Sequence, residues 1–336
     1  MGHSNIYFSF LAISPANSVL LSLEKQLPEY MKLSCANNTV KKYSTYFELW
    51  KTWASTHELS YCPASDLHVA LYLIAQLQEG KSSHIIESTV YAIKWNHEIL
   101  GFSDPTSQFC KNMIQCAKRI ARPNRAPKEP ITPETLQKMY RVIGGDNACL
   151  LDLRKFCILL ISYVGFLRFD EVSNLIKGDA TFFNTHMSVF IEKSKTDIYR
   201  DGNTLAISRL NSALCPVKML AKYMETAKIA NDDEFLFRAV TWWRSKSRYT
   251  LKAANKPISY TTAREDALDL VRRVGLDPKD FGLHSARSGG ATSAANNGVP
   301  DRLFKRHGRW KSEKAKDSYI KDNLSQLLSV SRNLGL

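Results

Sequence analysis

The chain has 336 residues, 44% of them hydrophobic, and a formal net charge of +14 at pH 7, enough for two domains with a sizeable core and a charge balance that favours a polyanionic partner, nucleic acid foremost. A membrane role is disfavoured: no apolar run approaches the roughly 20 residues a span needs, no basic amphipathic helix stands out, and Ile6 occupies the position where a myristoylation pattern needs Ser or Thr. The seven cysteines (Cys35, Cys62, Cys110, Cys116, Cys149, Cys157 and Cys215) form no C-x-x-C pair, which predicts neither a zinc site nor a disulfide framework but mostly buried thiols in a reducing compartment.

Residues 6–23 are apolar but lack a basic n-region and are broken by Ser14, Pro15, Asn17 and Ser18. They make a poor signal peptide, and residues 1–19 read as a poorly ordered start. Residues 20–120 read as helix after helix. Thr39 is a candidate cap for a helix over 39–57, with Tyr43, Tyr46, Phe47, Trp50 and Trp53 at core-forming helical spacing. Ser65 or Asp66 can cap an apolar helix over 67–78, ended by Gly80. Ser82 or Ser83 starts the next, with Ile86, Val90, Ile93 and Ile99 on one side. Asp104 followed by Pro105 predicts a fourth start. A proline-rich linker is predicted over 121–132, and from Lys111 to Lys128 the cations Lys111, Lys118, Arg119, Arg122, Arg125 and Lys128 run without an acidic residue. Such single-sign charge suits a strap along a phosphate backbone.

The second domain is predicted over 133–336. Thr132 caps a helix over 133–142. A helix over 148–164 is apolar on all sides, hence buried, and ends at Gly165. Arg168 lies just beyond it, where a charge must reach solvent or meet a partner; Glu171 is placed to orient it. Short β-type runs follow at 181–183, 187–192 and 204–208, with Lys193 and Lys195 in the turn between the last two. Helices are predicted over 216–229 and 259–274. Between them, residues 238–256 carry six basic residues and no acidic one. Arg244, Lys246 and Arg248 there are interleaved with Trp242, Trp243 and Tyr249, a pattern that grips nucleic acid or packs as an ordinary loop.

His284 and Arg287 form an H-x-x-R pair one helical turn apart, able to share an anionic oxygen. Trp310 follows, and Tyr319 stands nine residues after it. A short helix over 324–333 carries Leu327, Leu328 and Val330, and could fold back or dock on a neighbouring protomer. The motifs G-F-L-R-x-x-E at 165–171, S-K-T at 194–196, H-x-x-R-x-G-G at 284–290 and G-x-W-x-S before the Tyr occur in one order. In these motifs, their order and the two-part layout, the chain resembles the tyrosine recombinase (phage integrase) family from about residue 20 onward. It departs from most of the family in having Trp rather than His at 310, as a minority does. His307 stands at the wrong distance from Tyr319 and is not assigned. The phrases GFLR, SKTD and GRWKS look most like recombinases of eukaryotic mobile elements, the DIRS-like and Crypton groups.

The resemblance implies a mainly α fold with a small β-sheet or hairpin: a helical, SAM-like core-binding domain and a mixed α/β catalytic domain. It implies a site-specific recombinase that cleaves and rejoins double-stranded DNA through a 3′-phosphotyrosyl intermediate. Tyr319 is then the nucleophile, Arg168 and Arg287 brace the non-bridging oxygens, Trp310 donates one more hydrogen bond, Lys195 protonates the leaving oxygen and His284 assists proton transfer. Neither a metal nor another cofactor is expected, since one phosphodiester replaces another. Assembly from homodimer to homotetramer on DNA is expected, and a nuclear location if the source is eukaryotic. A type IB topoisomerase-like activity and a catalytically inactive DNA-binding remnant of a mobile element are the alternatives.

Overall fold

A computed structural model describes residues 18–120, 127–192 and 202–335. The chain divides into two compact units, Met1–Arg125 and Ala126–Leu336. No helix among the described residues is long and apolar enough to cross a membrane.

The first unit is helical: α1 (Ser18–Leu33), α2 (Asn37–Thr56), α3 (Asp66–Gln78), α4 (Ser83–Ile99) and α5 (Gln108–Ile120). Its core gathers Phe47, Trp50, Leu73, Ile86, Val90 and Ile93. The aromatic residues of α2 belong to it: Trp50 stacks on Trp53 at 5.8 Å, and both meet Tyr72. Ser82 caps α4 through the Ile85 N–H, as its sequence predicts. Two starts differ. Thr39 lies inside the first turn of α2, whose N-cap is Ala36. Asp104 instead accepts from the N–H and hydroxyl of Thr106 at 2.8 and 2.6 Å, a local turn that competes with helix, so α5 begins only at Gln108.

The second unit contains α6 (Pro133–Val142), α7 (Leu150–Val164), α8 (Phe169–Ser173), β1 (Ala180–Phe182), β2 (His186–Ile191), β3 (Asn203–Ser208), α9 (Pro216–Ala227), β4 (Val240–Trp243), β5 (Arg248–Leu251), α10 (Tyr260–Arg273), α11 (His284–Asn296), α12 (Asp301–Gly308), α13 (Glu313–Asp317) and α14 (Leu324–Arg332). Strands β1, β2 and β3 form one antiparallel sheet in that order, with Val189 opposite Ala180 and Leu205. The pair β4–β5 is a separate hairpin, where the sequence predicts only a basic loop. Helix α7 is the central post, buried along most of its length and packed by α9, α10 and α11.

Residues 121–126 of the predicted linker fall outside the described residues. Its second half is not an exposed strap. Ile131 is buried, and the N–H groups of Glu129 and Ile131 donate to the carbonyls of Asp280 and Ser285 at 2.7 and 2.9 Å. The expectation for cysteines also needs adjustment: all seven are free thiols, but only Cys110, Cys157 and Cys215 are buried and Cys149 is exposed.

The double glycine of α11 has a packing cause. A Cβ on Gly289 would overlap the Ile131 backbone, and one on Gly290 the Tyr163 carbonyl oxygen. The first glycine lets α11 lie against the segment just before α6, and the second lets it lie directly on the end of α7. Gly290→Ala is therefore expected to destabilise the protein by about 1–3 kcal/mol, the usual range for overpacking, read as a lower midpoint in thermal unfolding. An unchanged midpoint would show that the two helices are not so closely seated.

Candidate active site

The site lies in the second unit, at the C-terminal end of α7. Helix ends leave carbonyls without intrahelical partners. Here three side chains supply the donors. The Nε2 of His307 donates to the Val164 carbonyl at 2.8 Å. Arg309 donates from Nη1 to Gly165 at 3.3 Å and from Nη2 to Phe166 at 3.0 Å. Arg287 donates from Nη1 to the same Phe166 carbonyl and from Nη2 to Gly308 at 2.9 Å. Phe166 adopts φ +46°, in the left-handed region. The chain turns sharply there before Arg168 becomes the N-cap of α8.

Glu171 ties these groups together. Its Oε2 accepts from the Arg168 backbone N–H and from Arg309 Nη2, both at 2.8 Å, and its Oε1 accepts from Arg168 Nη1 at 2.8 Å. Arg287 Nη1 stands 3.8 Å from the same carboxylate. Three guanidinium groups thus surround one buried carboxylate. Burial alone would raise the Glu171 carboxyl. The charge of Arg309, the Arg168 N–H and the charges of Arg168 and Arg287 more than offset it and hold the group below the usual carboxylate range. Arg287 is pulled down to about 10, by burial first and by Arg168 next, and stays cationic at neutral pH. His307 is lowered by burial, and the nearby arginines add to this. Its Nε2 is committed to the end of α7.

Arg287 is fully buried, and its guanidinium carbon lies 5.0 Å from the Trp310 ring and 4.8 Å from the Tyr319 ring. The Trp310 and Tyr319 rings are 5.6 Å apart. Trp310 is buried against Phe304 and Phe166. Its Nε1, and the Nε of Arg287, have no hydrogen-bond partner among the described residues. A buried donor left unpaired costs about 1–3 kcal/mol, and both are in the cluster beside Tyr319. The Tyr319 carbonyl accepts from Ser288 Oγ at 2.9 Å and Thr292 Oγ1 at 3.2 Å, two hydroxyls one turn apart on α11. From the other side, Lys316 ion-pairs with Asp301 of α12 and with Glu313 at 2.5 Å, which fixes α13 just before Tyr319.

The structure therefore brings Arg168, Glu171, Arg287, Trp310 and Tyr319 into one cluster. His284 is the exposed first residue of α11, one turn before the buried Arg287. Lys195 lies outside the described residues, as do Arg122 and Arg125. Of the other predicted DNA contacts, Lys111 and Arg119 are exposed on α5, while Lys118 pairs with Glu87 at 3.0 Å. Lys128 is exposed and donates to the Lys279 carbonyl. Arg244, Lys246 and Arg248 lie on the β4–β5 hairpin, all exposed. Arg309, Ser288 and Thr292 were not anticipated. The one sequence signal for Arg309 is a charge wedged between Gly308 and Trp310, both buried.

No group of three or more His, Cys, Asp or Glu side chains suited to a metal occurs among the described residues. The chain is 28% identical to an integrase/recombinase xerD homolog of Selenomonas ruminantium over 309 residues, covering 90% of this chain and 86% of that one. Among solved structures, the XerH site-specific recombinase bound to a palindromic difH substrate matches with a TM-score of 0.57 and 15% identity, over 93% of this chain and 85% of that one. A lambda integrase tetramer bound to a Holliday junction matches with a TM-score of 0.52 and 16% identity, over 89% of this chain and 77% of that one. The model of the phage integrase family matches residues 129–325, the span that holds every member of the arginine–tyrosine cluster, and the chain belongs to that family, the tyrosine recombinases.

Proposed function

We propose that this protein is a site-specific DNA recombinase that breaks and rejoins double-stranded DNA by transient attachment to Tyr319. The observation that carries the reading is the charge balance of the buried cluster. Three guanidiniums face one carboxylate next to a tyrosine, and two buried N–H groups there, Nε of Arg287 and Nε1 of Trp310, are unpaired among the described residues. An anion with several oxygens, such as a phosphodiester, meets that surplus of positive charge and donors.

The Tyr319 oxygen attacks phosphorus and loses its proton, with His284 assisting. The bond from phosphorus to the 5′-oxygen breaks, and Lys195 protonates that oxygen. A 3′-phosphotyrosyl enzyme and a free 5′-hydroxyl result. The 5′-hydroxyl of a partner strand reverses the step, so each phosphodiester is exchanged for another. Arg168 and Arg287 brace the non-bridging oxygens, and Trp310 donates from Nε1. The pairing of Tyr319 with Arg287 of its own chain favours cleavage by a protomer's own set. No resident metal or cofactor has a part in this scheme.

The helical first unit serves as the core-binding domain and the second as the catalytic domain. The β4–β5 hairpin adds a DNA contact. Lys246 Nζ lies 4.1 Å from the centre of the exposed Trp243 ring, and Arg248 lies 5.9 Å from it, so the indole holds two cations at the tip. Replacing both Lys246 and Arg248 by Ala is expected to reduce the salt dependence of DNA binding by about 2 in log–log slope, near 0.9 for each phosphate no longer neutralised. An unchanged slope would remove the hairpin from the interface.

Helix α14 exposes Leu324, Leu327, Leu328 and Val330, and none of its residues is buried. Such an apolar face suits docking between protomers, as does the relation to a tetrameric integrase on a Holliday junction. The DIRS-like or Crypton grouping, an origin in a mobile element and a nuclear location rest on the sequence phrases and the charge of +14. Reciprocal exchange between two labelled duplexes carrying the target site, with tetramers seen by light scattering, tests the function. Plasmid relaxation by a monomer without exchange would favour the topoisomerase reading.

A further inference from the structure

We infer that Arg309 is a positioning residue for strand cleavage: it anchors Glu171 and the carbonyl end of α7, and through them fixes Arg168 and Arg287 beside Tyr319. The inference rests on the phosphotyrosyl reading above. Three observations converge on it. Arg309 has φ +57°, a left-handed conformation that a residue with a Cβ rarely adopts without local cause. Its side chain is only 5% exposed, where a charge requires partners. Those partners are the two successive carbonyls of Gly165 and Phe166, the His307 carbonyl at 3.0 Å and the Glu171 carboxylate at 2.8 Å.

Two of these contacts reach groups that the reacting arginines also use. Phe166 shares its carbonyl between Arg309 and Arg287. Glu171 shares its carboxylate between Arg309 and Arg168. Arg309 therefore sits behind the two arginines, and its contacts here are with protein groups. With it present, Glu171 has a dedicated partner. Without it, Arg168 and Arg287 would be drawn toward the carboxylate in its place.

The groups that face Glu171 are Arg168 at the start of α8, Arg287 on α11 and Arg309 at the end of α12, with His307 packed beside the last two. Arg309 is the strongest of the charges that hold the Glu171 carboxyl low. In Arg309→Gln that carboxyl moves up, so it takes a proton as the pH falls and loosens its hold on Arg168. A positioning role thus predicts a new acid limb in the cleavage rate, which a purely structural role would not produce.

The test is single-turnover cleavage of a nicked duplex carrying the target site, by the full chain, across pH. Arg309→Gln is expected to bind this DNA normally yet form adduct about a hundredfold more slowly, the cost of a small misplacement of reacting groups, with the rate falling further on the acid side. In a Glu171→Gln background the same change should cost much less than it does in the wild type, since the shared carboxylate is gone and only the carbonyl contacts remain to be lost. Wild-type rate and pH profile in Arg309→Gln, or losses that multiply in the double variant, would overturn the inference. If Arg309→Gln does not fold, Arg309→Lys decides the matter. The charge stays by Glu171, so cleavage slows without an acid limb, and an acid limb there would count against the proposal. A wild-type protein that gives no adduct would instead sink the phosphotyrosyl reading itself.

Discussion

Arg287→Lys should lose cleavage by about 10²–10³-fold, the effect of removing one preorganised donor to a developing charge, and should also unfold more easily. The guanidinium donates to the carbonyls of Phe166 and Gly308, lies within 5.0 Å of both the Trp310 and Tyr319 ring centres, and is fully buried. An ammonium keeps the charge but has no planar fork, so it cannot hold both carbonyls and still offer an N–H to a phosphate. Arg287→Ala goes further. It leaves Glu171 with one charge fewer, takes the guanidinium donor from the Gly308 carbonyl and leaves Phe166 to Arg309 alone, and breaking a buried pair in this way costs about 3–5 kcal/mol. Single-turnover rates and thermal unfolding, measured side by side, separate the two losses. A Lys variant that cleaves at the wild-type rate would show that Arg287 is a structural brace and that another group meets the phosphate.

The fold was legible where a cap or a break has one local outcome. Thr132 and Ser259 cap α6 and α10 through N–H groups three residues on, and such signals need no tertiary information. The start of α5 was misplaced because Asp104 had two local partners available, and it closed a turn on Thr106. The β4–β5 hairpin was hidden because its strands, VTWW and RYTL, are four residues long and none of their residues is buried, so no apolar period marks them. In the site, the pairing of Arg168 with Glu171 followed from a charge placed at the end of a buried helix. Arg309 could not be read in the same way. Its partners, Glu171 and the end of α7, stand 138 to 144 residues away in sequence, and only the close seating of α11 and α12 on α7 brings them together. Ser288 and Thr292 were missed for a similar reason, since they hold the backbone of Tyr319 rather than its ring.

Tyr319→Phe carries the largest expected effect, because in the proposed scheme the hydroxyl oxygen forms the covalent bond to phosphorus. The substitution keeps the ring that packs against Trp310 and Arg287, and it keeps the carbonyl held by α11. Folding and DNA binding should therefore survive while covalent chemistry disappears. The direct measurement is to incubate the protein with nicked duplexes of broad sequence, quench in detergent, isolate the protein–DNA adduct and map the modified residue by mass spectrometry. The account predicts an adduct in the wild type that digests to a phosphotyrosine at Tyr319, and none from Tyr319→Phe. An adduct that persists in the Phe variant, or a nucleotide mapped to any other residue, would contradict it.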